Sequence, residues 1–288
     1  MKDFTQQSSI YATTYIDLIN QALQRRVKVV TFKGKPPVNF SVNTFPDGQI
    51  QLVMNRNAIN EKLDIYVSVT NSVELDIFLQ LKRLFKDSDQ RVFIKYYYGS
   101  RCDKDMDETL GSRVADLLSG ARGYSPSVLF SHHESYLNPD PMEKLIIHNL
   151  PWDNYSTILF PDESSQRRFK LYESYFKDKS VIVCPKARNQ ATGEIVAHAV
   201  PSLSNQKVLV LDDLCDGGRT FLNIVETVDA NKTNVVDLFV MHGIFSNEEN
   251  LEKLCEGYNH IYTTNSYWGR NVRSFRPELT MFDVWGDE

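Results

Sequence analysis

The segment Val208-Leu-Val-Leu-Asp-Asp-Leu-Cys-Asp-Gly-Gly-Arg-Thr220 decides the fold, because an apolar strand runs directly into two carboxylates and a glycine-bearing turn. The residues that follow, 221–227, are typical of a helix. Asp212 and Asp213 at the strand end can accept hydrogen bonds from two vicinal hydroxyls. The turn can direct backbone N–H groups at a phosphate, helped by the N-terminus of the next helix.

Five residues of the turn contribute to this prediction: Asp216, Gly217, Gly218, Arg219 and Thr220. The two glycines supply the backbone freedom that an anion-binding turn needs. A generic strand, turn and helix with a solvated acidic turn is the alternative, but such a unit needs no paired carboxylates. The segment therefore predicts a site for a sugar phosphate.

Composition indicates a globular chain of two domains. The 288 residues are 42% apolar and 24% charged, which is typical of globular proteins, and domains usually have about 150 residues. We place the junction in the proline-containing stretch 137–154 and predict domains at 1–148 and 149–288. Since no apolar run approaches the roughly 20 residues of a membrane span, we expect no membrane partner.

Charge and cysteine usage limit the partners and the compartment. A net charge of −5 argues against a nucleic-acid binder, because such proteins contact many phosphates through Lys and Arg. The four cysteines, Cys102, Cys184, Cys215 and Cys255, are far apart and form no CxxC pair. The N-terminus lacks the basic and apolar pattern of a signal peptide. We therefore predict a cytoplasmic protein with reduced thiols.

Alternating strand and helix patterns predict an α/β fold with mostly parallel sheets. The predicted strands are Val27–Phe32, Val38–Phe45, Gln49–Asn55, Ile65–Thr70, Arg91–Tyr97, Ser127–Ser131, Thr157–Pro161, Ser180–Cys184, Lys207–Leu211, Asn234–His242 and His260–Thr264. The predicted helices are 8–26, Val73–Phe85, Thr109–Gly120, Ser164–Phe176, Thr220–Asp229 and Asn247–Cys255. The second and third strands form an antiparallel hairpin, because Pro46-Asp47-Gly48 between them is a turn signal.

Polar side chains follow several of these strands, and ligands of open parallel sheets bind outside the carboxyl ends of the strands. His133 follows one strand and Asp162 follows the next. An imidazole and a carboxylate suit a divalent cation, so the two residues can share one Mg²⁺ that keeps several waters. A structural His and a helix-capping Asp are the competing interpretations.

Lys186 and Arg188 lie in a polar, loop-like run after Cys184. Cations on a mobile loop can close over a nucleotide and neutralise the charge that spreads over the phosphoryl oxygens in a transition state. A plain basic surface loop is the alternative. The functional interpretation is favoured because the run lies shortly before the sugar-phosphate segment.

Taken in order, these segments resemble the ribose-phosphate diphosphokinases, also called phosphoribosyl diphosphate synthetases. The resemblance runs from Phe45 to Ser266. The matching segments are Phe45-Pro-Asp-Gly-Gln49, Arg101-Cys-Asp103, Ser131-His-His133, Pro161-Asp162, Lys186-Ala-Arg188, Asp212–Thr220, and Met241–Ser246 with Thr264-Asn265. Each match is weak alone, and their common order makes the resemblance strong.

The resemblance implies two tandem type I phosphoribosyltransferase-like domains with mostly parallel central sheets and an antiparallel hairpin flap. It implies a kinase-type transferase of nucleotide biosynthesis that uses ATP as co-substrate with Mg²⁺ and assembles as a homodimer or hexamer. It assigns ATP binding to Phe45, Asp47, Gln49, Arg101, Cys102 and Asp103, and Mg²⁺ binding to His133 and Asp162. It assigns catalysis to Lys186 and Arg188, the ribose hydroxyls to Asp212 and Asp213, and the 5-phosphate to residues 216–220.

The implied reaction is transfer of the diphosphate of ATP to the anomeric hydroxyl of ribose 5-phosphate, with release of AMP. The sequence departs from the family pattern at Arg219, which replaces a glycine of the phosphate turn. Because Arg219 could pair with a second phosphate, ADP-ribose in NAD salvage is an alternative acceptor. A catalytically silent member that regulates a partner is another alternative. A phosphoribosyltransferase that consumes the activated sugar would share 208–220 but would not explain Phe45–Gln49, Arg101 or Lys186.

Overall fold

The computed structural model describes residues 24–31, 40–45, 49–54, 62–84, 90–98, 127–129, 138–184, 186–188, 195–198, 201–228, 234–272, 274 and 276–286. The chain divides into two compact units. The first consists of Met1–Pro141, Gly269–Asn271 and Trp285–Glu288, and the second of Met142–Trp268 and Val272–Val284. Within the described ranges, no helix is both long enough and apolar enough to cross a membrane.

The described residues of the first unit form seven strands and one long helix. The strands are β1 Val27–Thr31, β2 Phe40–Thr44, β3 Ile50–Met54, β4 Leu63–Val69, β5 Gln90–Tyr97, β6 Ser127–Val128 and β7 Asn138–Pro139, and the helix is α1 Ser72–Leu84. Five strands form one sheet in the order β1-β4-β5-β6-β7, in which only β1 and β4 are antiparallel. β2 and β3 form a separate antiparallel hairpin.

Helix α1 supports both the sheet and the hairpin of the first unit. Asn71 caps the helix, because its Oδ1 accepts two backbone N–H groups of the first turn at 3.0 Å. Ile77 and Leu81, one turn apart, are buried in the core with the inward residues of the sheet. The hairpin lies against α1, where Leu52 N donates to Gln80 Oε1 at 3.1 Å.

The second unit contributes the remaining described strands and helices. The strands are β8 Thr157–Phe160, β9 Ser180–Val183, β10 Lys186–Arg188, β11 Ile195–His198, β12 Lys207–Cys215, β13 Val235–Gly243, β14 His260–Thr264 and β15 Leu279–Phe282. The α-helices are α2 Pro141–His148, α3 Glu163–Arg168, α4 Arg219–Val228 and α5 Glu248–Gly257, and Trp152–Asn154 and Lys170–Tyr175 are 3₁₀ helices. Six strands form a wholly parallel sheet in the order β15-β14-β13-β12-β8-β9.

Strand β12 lies inside this sheet, and its residues Val208–Leu211 have no exposed surface. Such a continuous apolar run is expected where a parallel strand is covered on both faces. On one face lie α4 and α5. The buried apolar residues of these two helices recur at helical spacing: Phe221, Ile224, Val225 and Val228 of α4, and Leu251 and Leu254 of α5.

The predicted α/β class, with mostly parallel sheets and an antiparallel hairpin, is confirmed. The predicted helix Ser164–Phe176 is instead α3 followed by a 3₁₀ helix, separated at the fully buried Phe169. The proline-containing stretch 137–154, in which no helix was predicted, contains α2. Proline at the first helical position is compatible with a helix, because the missing N–H has no intrahelical partner there.

Some predicted elements and residues lie outside the described part of the chain. They are helix Thr109–Gly120, all of helix 8–26 except residues 24–26, and the site residues Asp47, Arg101, Cys102, Asp103 and His133. Predictions that rest on them stay predictions.

Candidate active site

The paired carboxylates lie within the last part of β12. The sequence predicted that the strand ends at Leu211, but the strand continues to Cys215, because its backbone keeps pairing with β13 as far as Gly243. Asp213 is only 5% exposed, whereas Asp212 is half-buried. The backbone N–H of Asp213 donates to Asp212 Oδ1 at 2.8 Å, which fixes the orientation of that carboxylate.

Arg168 reaches this pair from the last residue of α3. Its Nη1 forms an ion pair with Asp213 Oδ1. One local signal was present in the sequence, since Arg168 is a basic residue in the last turn of a helix that directly follows a predicted strand; the pairing of that strand, β8, with β12 is seen only in the structure. The site therefore contains a cation that was not predicted.

The charge state of the pair is set by its surroundings. Burial, followed by the neighbouring Asp213 carboxyl, raises the pKa of Asp212 well above its ordinary value, while the Arg168 guanidinium acts in the opposite direction. Two carboxyls this close titrate as a pair and not as independent groups.

The glycine turn after β12 requires only one of its two glycines. Gly218 has a φ of +78°, which L-residues with side chains rarely adopt. A Cβ there would also lie 2.9 Å from Leu254 Cδ1 of α5. Gly217 has an ordinary φ, and a Cβ would meet nothing within 4 Å. The prediction that both glycines supply special backbone freedom is therefore correct for Gly218 alone.

The start of α4 presents unused backbone donors. Phe221 N and Leu222 N both donate to Gly218 O, at 3.1 and 3.0 Å, which begins the helix. The N–H groups of residues 217–220 make no hydrogen bond within the described parts of the chain. Arg219 is exposed and has no hydrogen bond or ion pair with any described residue. Free donors at a helix N-terminus are suited to bind an anion.

The connection between β13 and α5 holds the turn in place. Ile244 N donates to Cys215 O at 2.8 Å, and Ser246 N donates to Asp216 O at 3.2 Å. The Asn250 side chain of α5 donates to Gly217 O at 2.5 Å. Hydrogen bonds from the β13–α5 connection and from α5 therefore hold the turn, so its free donors are preorganised.

The segments Met241–Ser246 and Thr264-Asn265 supply buried hydrogen bonds beside the turn. His242 Nδ1 lies 2.8 Å from Ser266 Oγ, and Thr264 Oγ1 donates to Met241 O at 2.6 Å. Asn265 accepts the backbone N–H of Val284 at 3.0 Å. In the described part of the site these residues connect the ends of β13, β14 and β15.

Asp162 follows β8 and caps α3. Its Oδ1 accepts the Ser165 N–H at 2.9 Å, and Ser165 Oγ accepts the Asp162 N–H at 3.2 Å, which completes a capping box. Among the described residues, no three His, Cys, Asp or Glu side chains come together as a metal site. Mg²⁺ needs only one or two protein carboxylates when it also binds substrate phosphates and water. A carboxylate at this strand end fits that requirement, and the prediction for His133 and Asp162 stays a prediction.

Lys186 and Arg188 lie in β10, which pairs antiparallel with β11. The sequence predicted a loop here. The backbone instead forms a short two-stranded ribbon, with Lys186 opposite His198 and an irregularity between Ala187 and Arg188. Pairing between the two strands accounts for the difference, because strand formation depends more on the neighbouring strand and surroundings than on the intrinsic preference of the residues.

The hairpin tip carries the described part of the predicted ATP site. Phe45 N donates to Gln49 O at 2.9 Å, which closes the hairpin end. Phe45 is 45% exposed, which is unusual for an aromatic side chain in a folded unit. An exposed aromatic ring at a hairpin tip is suited to stacking on a planar ligand.

Comparison with known proteins identifies relatives with one common name. No protein-family model matches the chain. A ribose-phosphate pyrophosphokinase of Mycoplasmopsis pulmonis is 23% identical over 242 residues, which cover 77% of this chain and 74% of that protein. The mitochondrial ribose-phosphate pyrophosphokinase 3 of Spinacia oleracea is 26% identical over 261 residues, covering 79% of this chain and 63% of the plant protein. The chain is therefore related to the ribose-phosphate pyrophosphokinases.

The fold agrees with this relationship to the pyrophosphokinases. The crystal structure of phosphoribosylpyrophosphate synthetase from Mycobacterium smegmatis matches with a TM-score of 0.66 at 16% identity, over 93% of this chain and 91% of that one. At this identity the match shows the fold alone. The chain spans less than two thirds of the length of the spinach pyrophosphokinase, so activity, substrates and partners have to be argued from this chain's own residues.

Proposed function

We propose that the protein transfers the diphosphate of ATP to the anomeric hydroxyl of ribose 5-phosphate or of an acceptor that contains it. The anomeric oxygen forms a bond to the β-phosphorus, the bond between that phosphorus and the oxygen of AMP breaks, and the hydroxyl proton leaves to solvent. The observation that carries the proposal is the continuity of β12, the Gly218 turn and α4, which joins a carboxylate pair to free anion-binding donors.

We assign binding of the sugar-phosphate acceptor to the segment Asp212–Thr220. Asp212 and Asp213 accept hydrogen bonds from the vicinal hydroxyls, and the N–H groups of residues 217–220, with Asp216 and Thr220 beside them, surround the 5-phosphate. Positioning of the acceptor provides much of the rate enhancement, because phosphoryl transfer asks for little covalent chemistry from a protein.

We assign binding of ATP and Mg²⁺ to the residues that the family resemblance indicates. Phe45, Asp47, Gln49, Arg101, Cys102 and Asp103 bind the nucleotide, and Lys186 and Arg188 stabilise the charge of the transferring group. His133 and Asp162 hold Mg²⁺, which when bound neutralises part of the negative charge of the ATP phosphates. The relatives' name supports a nucleotide donor, and the assignment of individual residues rests on the resemblance of their segments.

Arg219 favours a second candidate acceptor, ADP-ribose. A cation in the first turn of α4 lies close to the positive end of the helix dipole, which is unfavourable without an anion. Arg219 has no anionic partner among the described residues. A second phosphate on the acceptor would supply that partner, and the reaction would then belong to NAD salvage.

Compartment and assembly are part of the proposal. Cys184, Cys215 and Cys255 are free thiols, and the first two are buried, which is compatible with the reducing cytoplasm. A homodimer or hexamer follows from the family resemblance alone. Analytical ultracentrifugation tests the assembly, and a stable monomer under assay conditions would contradict it.

The deciding experiment is incubation of the protein with ATP, Mg²⁺ and either ribose 5-phosphate or ADP-ribose, followed by mass spectrometry. We expect an acceptor that has gained a diphosphate, with one AMP for each product molecule. Lys186→Ala should reduce turnover by about 100-fold or more and leave ATP affinity close to that of the unmodified protein. ATP binding without AMP formation on either acceptor would favour the catalytically silent alternative.

The acceptor is resolved by Arg219→Gly, which restores the residue of the resembled family. If Arg219 contacts a second phosphate, the variant loses kcat/KM for ADP-ribose and keeps it for ribose 5-phosphate. Equal changes on both acceptors would contradict the ADP-ribose assignment.

A further inference from the structure

The ion pair between Arg168 and Asp213 lies in a sheltered environment. The Asp213 side chain is 8% exposed and that of Arg168 is 21% exposed. Ion pairs at the surface contribute little because water screens them, whereas a shielded pair interacts more strongly. Removal of one partner would leave a nearly buried charge without its counter-ion. The positive charge of Arg168 therefore stabilises the negative charge of Asp213 more than it would at an exposed position.

Arg168 is held in position by the structure on either side of it. The capping box of Asp162 and Ser165 fixes the start of α3. Phe169, the next residue, is fully buried, with its ring centroid 5.8 Å from that of Phe160 and 6.2 Å from that of Phe239. A short helix that is anchored at both ends delivers its guanidinium to Asp213 in one orientation.

We propose that Arg168 is a positioning residue for the acceptor: it holds the Asp213 carboxylate by an ion pair and opposes protonation of the Asp212–Asp213 pair that accepts hydrogen bonds from the sugar hydroxyls. The inference rests on the proposed function, because it assigns the pair to the acceptor. Arg168 acts through the carboxylates and needs no contact with the acceptor itself.

The electrostatic argument follows from the groups around Asp212. The charged groups that act on it from the described elements are Asp213, on its own strand, and Arg168, from α3. Neighbouring carboxyls resist simultaneous ionisation. Without Arg168, the pair would keep a proton up to a higher pH. A protonated carboxyl has less capacity to accept hydrogen bonds from hydroxyls.

The test compares Arg168→Met with Arg168→Lys and with Arg167→Met. Arg167 is the matched control, because it is the adjacent arginine of α3, is exposed, and has no partner among the described residues. The measurements are KM for acceptor and for ATP, and kcat/KM for acceptor as a function of pH.

In Arg168→Met we expect KM for acceptor at neutral pH to rise about tenfold or more, the size expected when a hydrogen bond to a charged group is weakened. The acidic limb of the pH profile should move to higher pH, while KM for ATP stays within about twofold. Arg168→Lys should show smaller changes in both acceptor KM and the acidic limb. Arg167→Met should show neither change. A uniform loss of kcat with an unchanged acidic limb and acceptor KM would overturn the inference.

A readout without turnover separates this inference from the proposed function. If the unmodified protein transfers diphosphate to neither acceptor, the proposed function fails, and ¹³C NMR of labelled aspartates still follows the titration of the pair. Loss of Arg168 should move that titration to higher pH, and an unmoved titration overturns the inference. Arg168→Gln, which keeps donors but not the charge, replaces Arg168→Met if thermal melting shows that the latter does not fold.

Discussion

At the scale of single residues, the two glycines after β12 are not equivalent. Gly218→Ala should lower the free energy of unfolding by about 1–3 kcal/mol, because the new Cβ meets Leu254 and the backbone has a positive φ. Gly217→Ala should change it by less than about 0.5 kcal/mol. Urea denaturation of the two variants measures the difference. Equal losses would contradict the assigned conformation of the turn.

The sequence was sufficient to predict the carboxylate pair and the turn but not their neighbour Arg168. Asp212, Asp213 and the glycines are adjacent in the chain, so their order alone indicates a sugar-phosphate site. Arg168 reaches Asp213 only after β8 and β12 have paired and α3 has packed against these two strands. Such a contact depends on sheet order, which no local pattern contains.

At the scale of elements, the opposite end of the second unit's sheet contains a buried acid. Asp237, near the start of β13, accepts the Tyr155 O–H at 2.6 Å, and burial raises its pKa. A carboxyl with a raised pKa stabilises the fold below its ordinary pKa, and this contribution is lost as pH rises through the folded-state pKa. The side chain of Asp237→Asn cannot ionise. The melting temperature of the unmodified protein, measured relative to that of this variant at the same pH, should therefore fall as the pH is raised from acidic to neutral. A difference that is constant with pH would contradict the assigned burial.

Element boundaries show where periodicity succeeds and where it does not. The buried strands and α4 were predicted because apolar spacing is a local property. The ribbon β10–β11 and the edge strand β15 were missed, since each depends on pairing with another strand. Helix α2 was missed because the prolines of 137–154 indicated a junction between domains, although Pro141 lies at the first helical position.

At the scale of the whole molecule, the first unit contains residues from both ends of the described chain. Trp285 is 1% exposed, and Lys28 Nζ of β1 donates to the carbonyls of Trp285 and Gly286 at 2.8 and 2.9 Å. In a chain that ends at Val284, the free energy of unfolding of the first unit should be lower by about 3–5 kcal/mol, as for removal of a large buried side chain. Hydrogen exchange should then be faster in β1 and β4 but not in β12. A chain that ends at Gly286 is the matched control, and similar protection in both would contradict the role of Trp285.

The return of Gly269–Asn271 and Trp285 to the first unit also sets an order on synthesis. Domains usually fold as they emerge from the ribosome, the N-terminal one first. Here the earlier-made unit has to wait for Trp285, which is translated after the residues of the second unit. We therefore expect nascent chains that stall before Trp285 to expose β1 and to be preferred substrates for proteases.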